Sequence, residues 1–188
     1  MPHDVCPWWL GYVLANPLRR LYQNPKRILE PYVRPGMNVI EIGPGMGFFT
    51  LDIARLVGDT GRVFAIDVQP KMLDGLRRRA RRATLLDRME LRLVPPARTG
   101  MEDLEQSADF VLAFAVVHEL PDMARFFNAA ARSLKPGGRL LLAEPRGHVD
   151  RAAFSKTVDS AEETGLRVAA NPSIRGSHAA LLEKPRGR

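Results

Sequence analysis

Three observations in this 188-residue chain predict an α/β protein built on a mostly parallel sheet. Short apolar runs alternate with amphipathic helical stretches along most of its length. The first run, Val39-Ile40-Glu41-Ile42, opens into Gly43-Pro44-Gly45-Met46-Gly47, with glycines at alternate positions. The second, Arg62-Val63-Phe64-Ala65-Ile66, ends on Asp67, 20 residues beyond the last of those glycines. Alternation forces parallel pairing, because each strand returns to the same edge only through a covering helix. A glycine turn followed by an acid at the next strand end is how such sheets grip an adenosine-containing ligand.

Each element has its own signal. Asn16-Pro17 and Asn24-Pro25 pair a capping residue with proline at the first helical position, predicting helices over 17–23 and 25–32. Pro35-Gly36 turns the chain into a strand over 38–42. Phe48, Leu51, Ile53, Ala54 and Val57 then recur at helical spacing until Gly58 and Gly61. A strand over 62–67 leads to Pro70 and a helix to about residue 83, whose buried face carries Met72, Leu73 and Leu76. Met89 to Val94 alternates as a third strand and stops at Pro95-Pro96.

Phe110 to Ala115 is continuously apolar, as a central strand buried on both faces must be. Pro121-Asp122 opens a helix to about Leu134, and Lys135-Pro136-Gly137-Gly138 ends it and turns into a strand over 139–143. Asp150 to Thr164 reads as helix with Gly165 as its stop. Residues 166–170 and 178–183 are the last strands, and the short loop between them predicts an antiparallel hairpin at one sheet edge. No internal repeat or linker divides the chain. The expected organisation is an N-terminal lid segment and helix over 1–24, followed by one ligand-binding domain over 25–188.

Composition narrows the function. Hydrophobic residues make up 45% and charged residues 26%, the balance of an ordinary water-soluble domain. The single cysteine, Cys6, excludes an internal disulfide and any multi-cysteine metal site, so no metal is expected even with His3 and Asp4 nearby. No apolar run approaches the roughly 20 residues that span a bilayer. Met1-Pro2-His3-Asp4 does not open like a secretory signal, and a cytoplasmic location is the expectation. The net charge of +7 would attract anions, nucleic acid included. Much of the excess sits in Arg77-Arg78-Arg79-Ala80-Arg81-Arg82, which without interleaved aromatics reads first as a solvated helix face.

The glycine spacing bears on the ligand. Dinucleotide enzymes use G-x-G-x-x-G, where a helix N-terminus receives a pyrophosphate. Here the third glycine comes one residue early and Glu41 stands just before the loop. A carboxylate repels a pyrophosphate but attracts a cationic amino-acid moiety such as that of S-adenosylmethionine. Asp67 is placed to accept hydrogen bonds from both ribose hydroxyls.

With those pieces, the sequence resembles the class I S-adenosylmethionine-dependent methyltransferases, over roughly residues 25–184. The matching stretches are Glu41 to Gly47, Ile66-Asp67, Ala108 to Phe114 and Leu134 to Leu140, in the family's order. The resemblance implies a doubly wound, Rossmann-like seven-stranded sheet, mostly parallel with an antiparallel C-terminal hairpin. It implies that Glu41, Gly43, Gly45 and Gly47 hold the methionine part of S-adenosyl-L-methionine and Asp67 its ribose. Val68 would pack on the adenine, and Ala113 and Phe114 would flank the sulfonium. One departure is visible: many members carry an acid after the third strand for the adenine amino group, and here Pro95-Pro96-Ala97 offers no side-chain acceptor.

Methyl transfer needs a nucleophile held near attack distance and shielded from water, and a base only when the nucleophile holds a proton. His118, just beyond the fourth strand, is the candidate catalytic residue; the alternative is a histidine that holds the turn before Pro121. Glu144 and His148, at the end of the fifth strand, are candidate substrate contacts, with stabilisation of the neighbouring backbone as the alternative for Glu144. Trp8 and Trp9 would leave a large apolar patch in water unless they pack on something, and a lid over the substrate is expected.

Three functions follow from these readings. One is an enzyme that methylates a small-molecule acceptor under the aromatic lid. Another is an RNA or ribosome methyltransferase, favoured by the positive charge. Against it, Ala115-Val116-Val117-His118 stands where nucleobase amino-methylating enzymes carry Asn/Asp-Pro-Pro and an aromatic. The last is a non-catalytic cofactor-binding partner subunit. The oligomeric state is left open.

Overall fold

The computed structural model of the protein describes residues 19–187, which fall into two units, 19–95 and 96–187. In the first, helix α1 (Arg19–Tyr22) leads into α2 (Pro25–Leu29). Asn24 caps α2 as its sequence requires, its side chain accepting from the Arg27 N–H, with Pro25 supplying a preset φ at the first position. Strand β1 (Asn38–Ile42), α3 (Thr50–Val57), β2 (Arg62–Asp67), α4 (Pro70–Arg82) and β3 (Met89–Leu93) follow. β1 pairs with β2 and β2 with β3, all parallel. Ile53, Ala54 and Val57 of α3 and Leu76 and Ala80 of α4 are fully buried, so the helical spacing seen in the sequence is the core-facing spacing. Arg88 closes the bottom of this unit, donating to the Ala54 carbonyl at 3.0 Å and pairing with Asp59.

The second unit holds β4 (Ala108–Phe114), α5 (Met123–Ser133), β5 (Leu134–Pro145), α6 (Arg151–Glu162), β6 (Arg167–Ala170) and β7 (Ser177–Glu183). β4 and β5 pair in parallel, while β7 runs antiparallel to both β5 and β6, leaving β6 outermost. Asp122 and Asp150 cap the two helices by accepting from the N–H groups of Arg125 and Ala153, each at 2.8 Å. Leu140, Leu141 and Leu142, on successive faces of β5, are all fully buried, as a strand covered on both sides demands. At about 1.5–3 kcal/mol for each fully buried leucine, this strand is the centre of the unit's stability.

Among the described residues the strands number seven, in the orders β3-β2-β1 and β4-β5-β7-β6, and the sheet is the mostly parallel α/β type with antiparallel C-terminal strands. Several boundaries differ from expectation by a few residues, α2 for instance ending at Leu29, and the widest difference is in β5. Lys135-Pro136-Gly137-Gly138 lies inside β5 as an interruption of the ladder, because Leu134 already pairs with Ala108 before the register shifts to Phe110–Arg139. Gly137 permits this with φ +80° and gives its N–H to the Lys184 carbonyl at 2.8 Å. Among the described residues no helix is long and apolar enough to cross a membrane.

Candidate active site

The site residues of the first unit gather where β1 and β2 end. The register sets Ile42 beside Ile66, and Gly43 gives its N–H to the Ile66 carbonyl at 3.0 Å. Gly43, Gly45 and Gly47 all have positive φ, at 64°, 53° and 85°, so the loop is a run of left-handed turns. Two of them act differently. A Cβ on Gly47 would lie 2.5 Å from Leu76 Cδ1, so this glycine exists for contact with α4. A Cβ on Gly45 would meet nothing within 4 Å, so its backbone faces open space. The α4 side completes the support: Gly75 lets Met46 approach, and Arg79 donates to the Met46 carbonyl at 2.5 Å. Arg79 is therefore no member of a purely solvated arginine face.

Glu41, on β1, is 3% exposed, and among the described residues neither its Oε2 nor the Thr50 Oγ1 has a hydrogen-bond partner. Burial, with a smaller push from Asp67, raises the Glu41 carboxyl to about 8. The Thr50 hydroxyl is near enough to oppose the shift without reaching hydrogen-bonding geometry. Near neutral pH the side chain is thus mainly uncharged in the ligand-free protein, where the sequence suggested a standing carboxylate. A buried polar atom with no partner costs about 1–3 kcal/mol and is a site waiting for one. Asp67 is also buried, and its Oδ1 accepts from the Gln69 N–H at 2.9 Å, which orients the carboxylate at the strand end. Val68 beside it is half-buried, and Pro95, Pro96 and Ala97 are exposed.

The site residues of the second unit follow β4. Ala113 is fully buried and Phe114 nearly so. Ala115 then takes φ +55°, a left-handed conformation that is costly for a residue with a Cβ, while donating to the Ala143 carbonyl at 2.7 Å. That reversal starts the short 3₁₀ turn Val117–Glu119. Glu144, on β5, receives the turn: Oε1 accepts from the Val117 N–H at 2.8 Å and Oε2 from His118 Nδ1 at 2.5 Å. Glu144 is 1% exposed and both its oxygens engage this turn, the backbone-stabilising alternative that the sequence offered beside a substrate contact. The bond to Glu144 raises the His118 pKa, against the opposing effect of partial burial, with further help from the charges of Glu144 and Glu119. The rings of His118 and His148 meet edge to face with centroids 5.8 Å apart, and His148 itself is exposed.

The sequence thus named His118, Glu144 and His148, and the fold brings them together. It did not reveal Thr50, Arg79 or the left-handed Ala115. The proline-free approach Ala115-Val116-Val117 gives no local sign of a positive φ, and Arg79 hides within a cluster of five arginines. Trp8, Trp9 and the expected lid lie outside the described residues. Among the described residues no group of three or more His, Cys, Asp or Glu side chains could hold a metal ion.

Known proteins share this chain's family and fold. Residues 34–178 match the family described as "Methyltransferase domain". A protein-L-isoaspartate O-methyltransferase of Triticum aestivum is 25% identical over 162 residues, covering 84% of this chain and 67% of that protein. The ubiquinone/menaquinone biosynthesis C-methyltransferase UbiE of Klebsiella pneumoniae is 30% identical over 112 residues, 60% of this chain, which spans only 44% of that protein's length. Among solved structures, a SAM-dependent methyltransferase from Aquifex aeolicus shares the fold with a TM-score of 0.83 at 21% identity, covering 96% of this chain and all of the other.

Proposed function

The chain belongs to the methyltransferase-domain family, enzymes whose methyl donor is S-adenosylmethionine, and on that premise we propose that it methylates a small-molecule acceptor. The observation that carries the cofactor half of this reading is the unpartnered Glu41 Oε2 beside a glycine loop whose Gly45 backbone faces open space. Those residues fit the group: a buried carboxyl with an unused oxygen suits a cationic amino group, and an open left-handed turn admits a ligand to the backbone. When bound, S-adenosylmethionine supplies an electrophilic methyl group. Glu41 and the glycine loop would hold its amino-acid end and Asp67 its ribose, with Val68 against the adenine. Ala113 and Phe114, at the end of β4, would flank its sulfonium.

The small-molecule reading rests on the second unit. His118 is recessed, its side chain 23% exposed, and Glu144 behind it is closed to solvent. A compact acceptor can reach such an imidazole more readily than a base held within a polymer. The relatives act on unlike partners, as the names of the wheat and Klebsiella proteins show, so they do not choose the acceptor.

Asp67→Ala tests the first step. Losing charge-assisted hydrogen bonds worth about 1.5–3 kcal/mol should weaken S-adenosylmethionine by roughly 10- to 100-fold in calorimetry. An unchanged affinity would count against the assignment.

A further inference from the structure

The acceptor class is written in the turn that follows β4. Glu144 engages two successive residues with its two oxygens, Val117 through the backbone and His118 through Nδ1. A carboxylate oxygen 2.5 Å from Nδ1 accepts, so the ring carries its proton there and Nε2 is its basic nitrogen, in a side chain 23% exposed. Among the described residues Nε2 makes no hydrogen bond, its nearest charged neighbour being Glu119 Oε1 at 3.9 Å. The turn itself is held against a cost, since Ala115 adopts φ +55° to bring Val117 and His118 over Glu144. A histidine that merely filled space would need neither a buried carboxylate nor a strained approach.

We propose that His118 is the general base of the transfer and Glu144 its positioning residue, so that the acceptor is a compact molecule whose nucleophile is a hydroxyl group. The proposal rests on the methyltransferase reading above. As His118 Nε2 takes the hydroxyl proton, the oxygen lone pair forms the bond to the methyl carbon. The carbon–sulfur bonding pair stays with sulfur, leaving a neutral thioether, a methyl ether and a protonated imidazole. A nucleophile with no proton to lose, such as a pyridine, a tertiary amine or a thioether, would have no use for the pair.

Among the described residues the groups facing His118 are Glu144 from β5, Glu119 from its own turn and His148 from the loop after β5. With a pKa raised chiefly by Glu144, the imidazole is competent only above the ordinary histidine range. The acid limb of kcat/KM should therefore lie above pH 6.5 and move to lower pH in Glu144→Gln, whose amide oxygen still accepts from Val117.

Two measurements decide it. In ¹⁵N-labelled full-length protein, NMR should show neutral His118 protonated at Nδ1, titrating above pH 6.5, and both features should change in Glu144→Gln. The same values in both proteins would overturn the pairing. S-adenosylhomocysteine release is then screened over phenols and alcohols beside pyridines, tertiary amines and thioethers. Turnover confined to hydroxyl compounds, cut at least ~100-fold by His118→Gln and with the acid limb moved by Glu144→Gln, is the expected result. Turnover confined to the proton-free nucleophiles, or His118→Gln retaining more than half the wild-type rate, would overturn it. Calorimetry keeps the two readings apart: both variants should bind S-adenosylmethionine as the wild type does, whereas a wild type that fails to bind sinks the methyltransferase reading instead.

Discussion

At the scale of single residues, Glu41 shows how a site can be stored as a cost. Its carboxyl is buried, has an oxygen without a partner and titrates near 8, well above the ordinary 4.5. The native state therefore binds more protons than the unfolded chain between those two values, and stability falls as pH rises through the interval. The slope approaches 1.4 kcal/mol per pH unit and flattens above about 8. Glu41→Gln should remove most of that dependence and raise the melting temperature of the ligand-free protein at pH 8, while weakening S-adenosylmethionine. Denaturation at pH 5, 7 and 9 with and without the cofactor reads both effects. An unchanged pH slope in the variant would mean the carboxyl is already ionised in the native state. By the same logic, cofactor binding near neutral pH should release a proton from Glu41, detectable as a buffer-dependent calorimetric heat.

At the scale of elements, α4 is the support of the glycine loop. Gly75, Leu76 and Arg79 lie on one helical face and meet Met46 and Gly47. That arrangement separates the glycines by experiment. Gly47→Ala forces a Cβ into left-handed backbone and 2.5 Å from Leu76, and should cost about 2 kcal/mol or more of stability. Gly45→Ala meets no atom, so only its backbone strain of roughly 1–2 kcal/mol remains, yet it would intrude where the cofactor is proposed to lie. Urea unfolding and cofactor titration of the two variants should rank them in opposite orders. Equal losses in both assays would deny the distinction. In the other unit, β5 plays the matching part: its buried leucines hold the strand whose last residues present Glu144 to the turn after β4.

At the scale of the whole molecule, the charge of +7 belongs with surface behaviour. Exposed Arg78, Arg81 and Arg82 on α4 should give a weak attraction to polyanions that falls steeply between about 50 and 200 mM salt. Transfer to a small acceptor should be nearly indifferent to the same change. Methyl incorporation into total RNA that matched or exceeded small-molecule turnover at physiological salt would favour the RNA reading instead. The order of elements, the parallel pairing and the C-terminal antiparallel strands were all legible, because each follows from local periodicity and connection length. The interruption inside β5 was not, because Leu134 joins the ladder through a partner 26 residues away.

The sequence by itself determined the alternation of strands and helices, the glycine turn after β1 and the acid at the end of β2. These depend on residue type and short spacing, which act along the chain. Only the tertiary structure decided what the buried carboxyls do. Whether Glu41 is charged and whether Glu144 faces solvent or an imidazole depend on desolvation and on neighbours brought from distant positions, and neither is a property of any local stretch of residues.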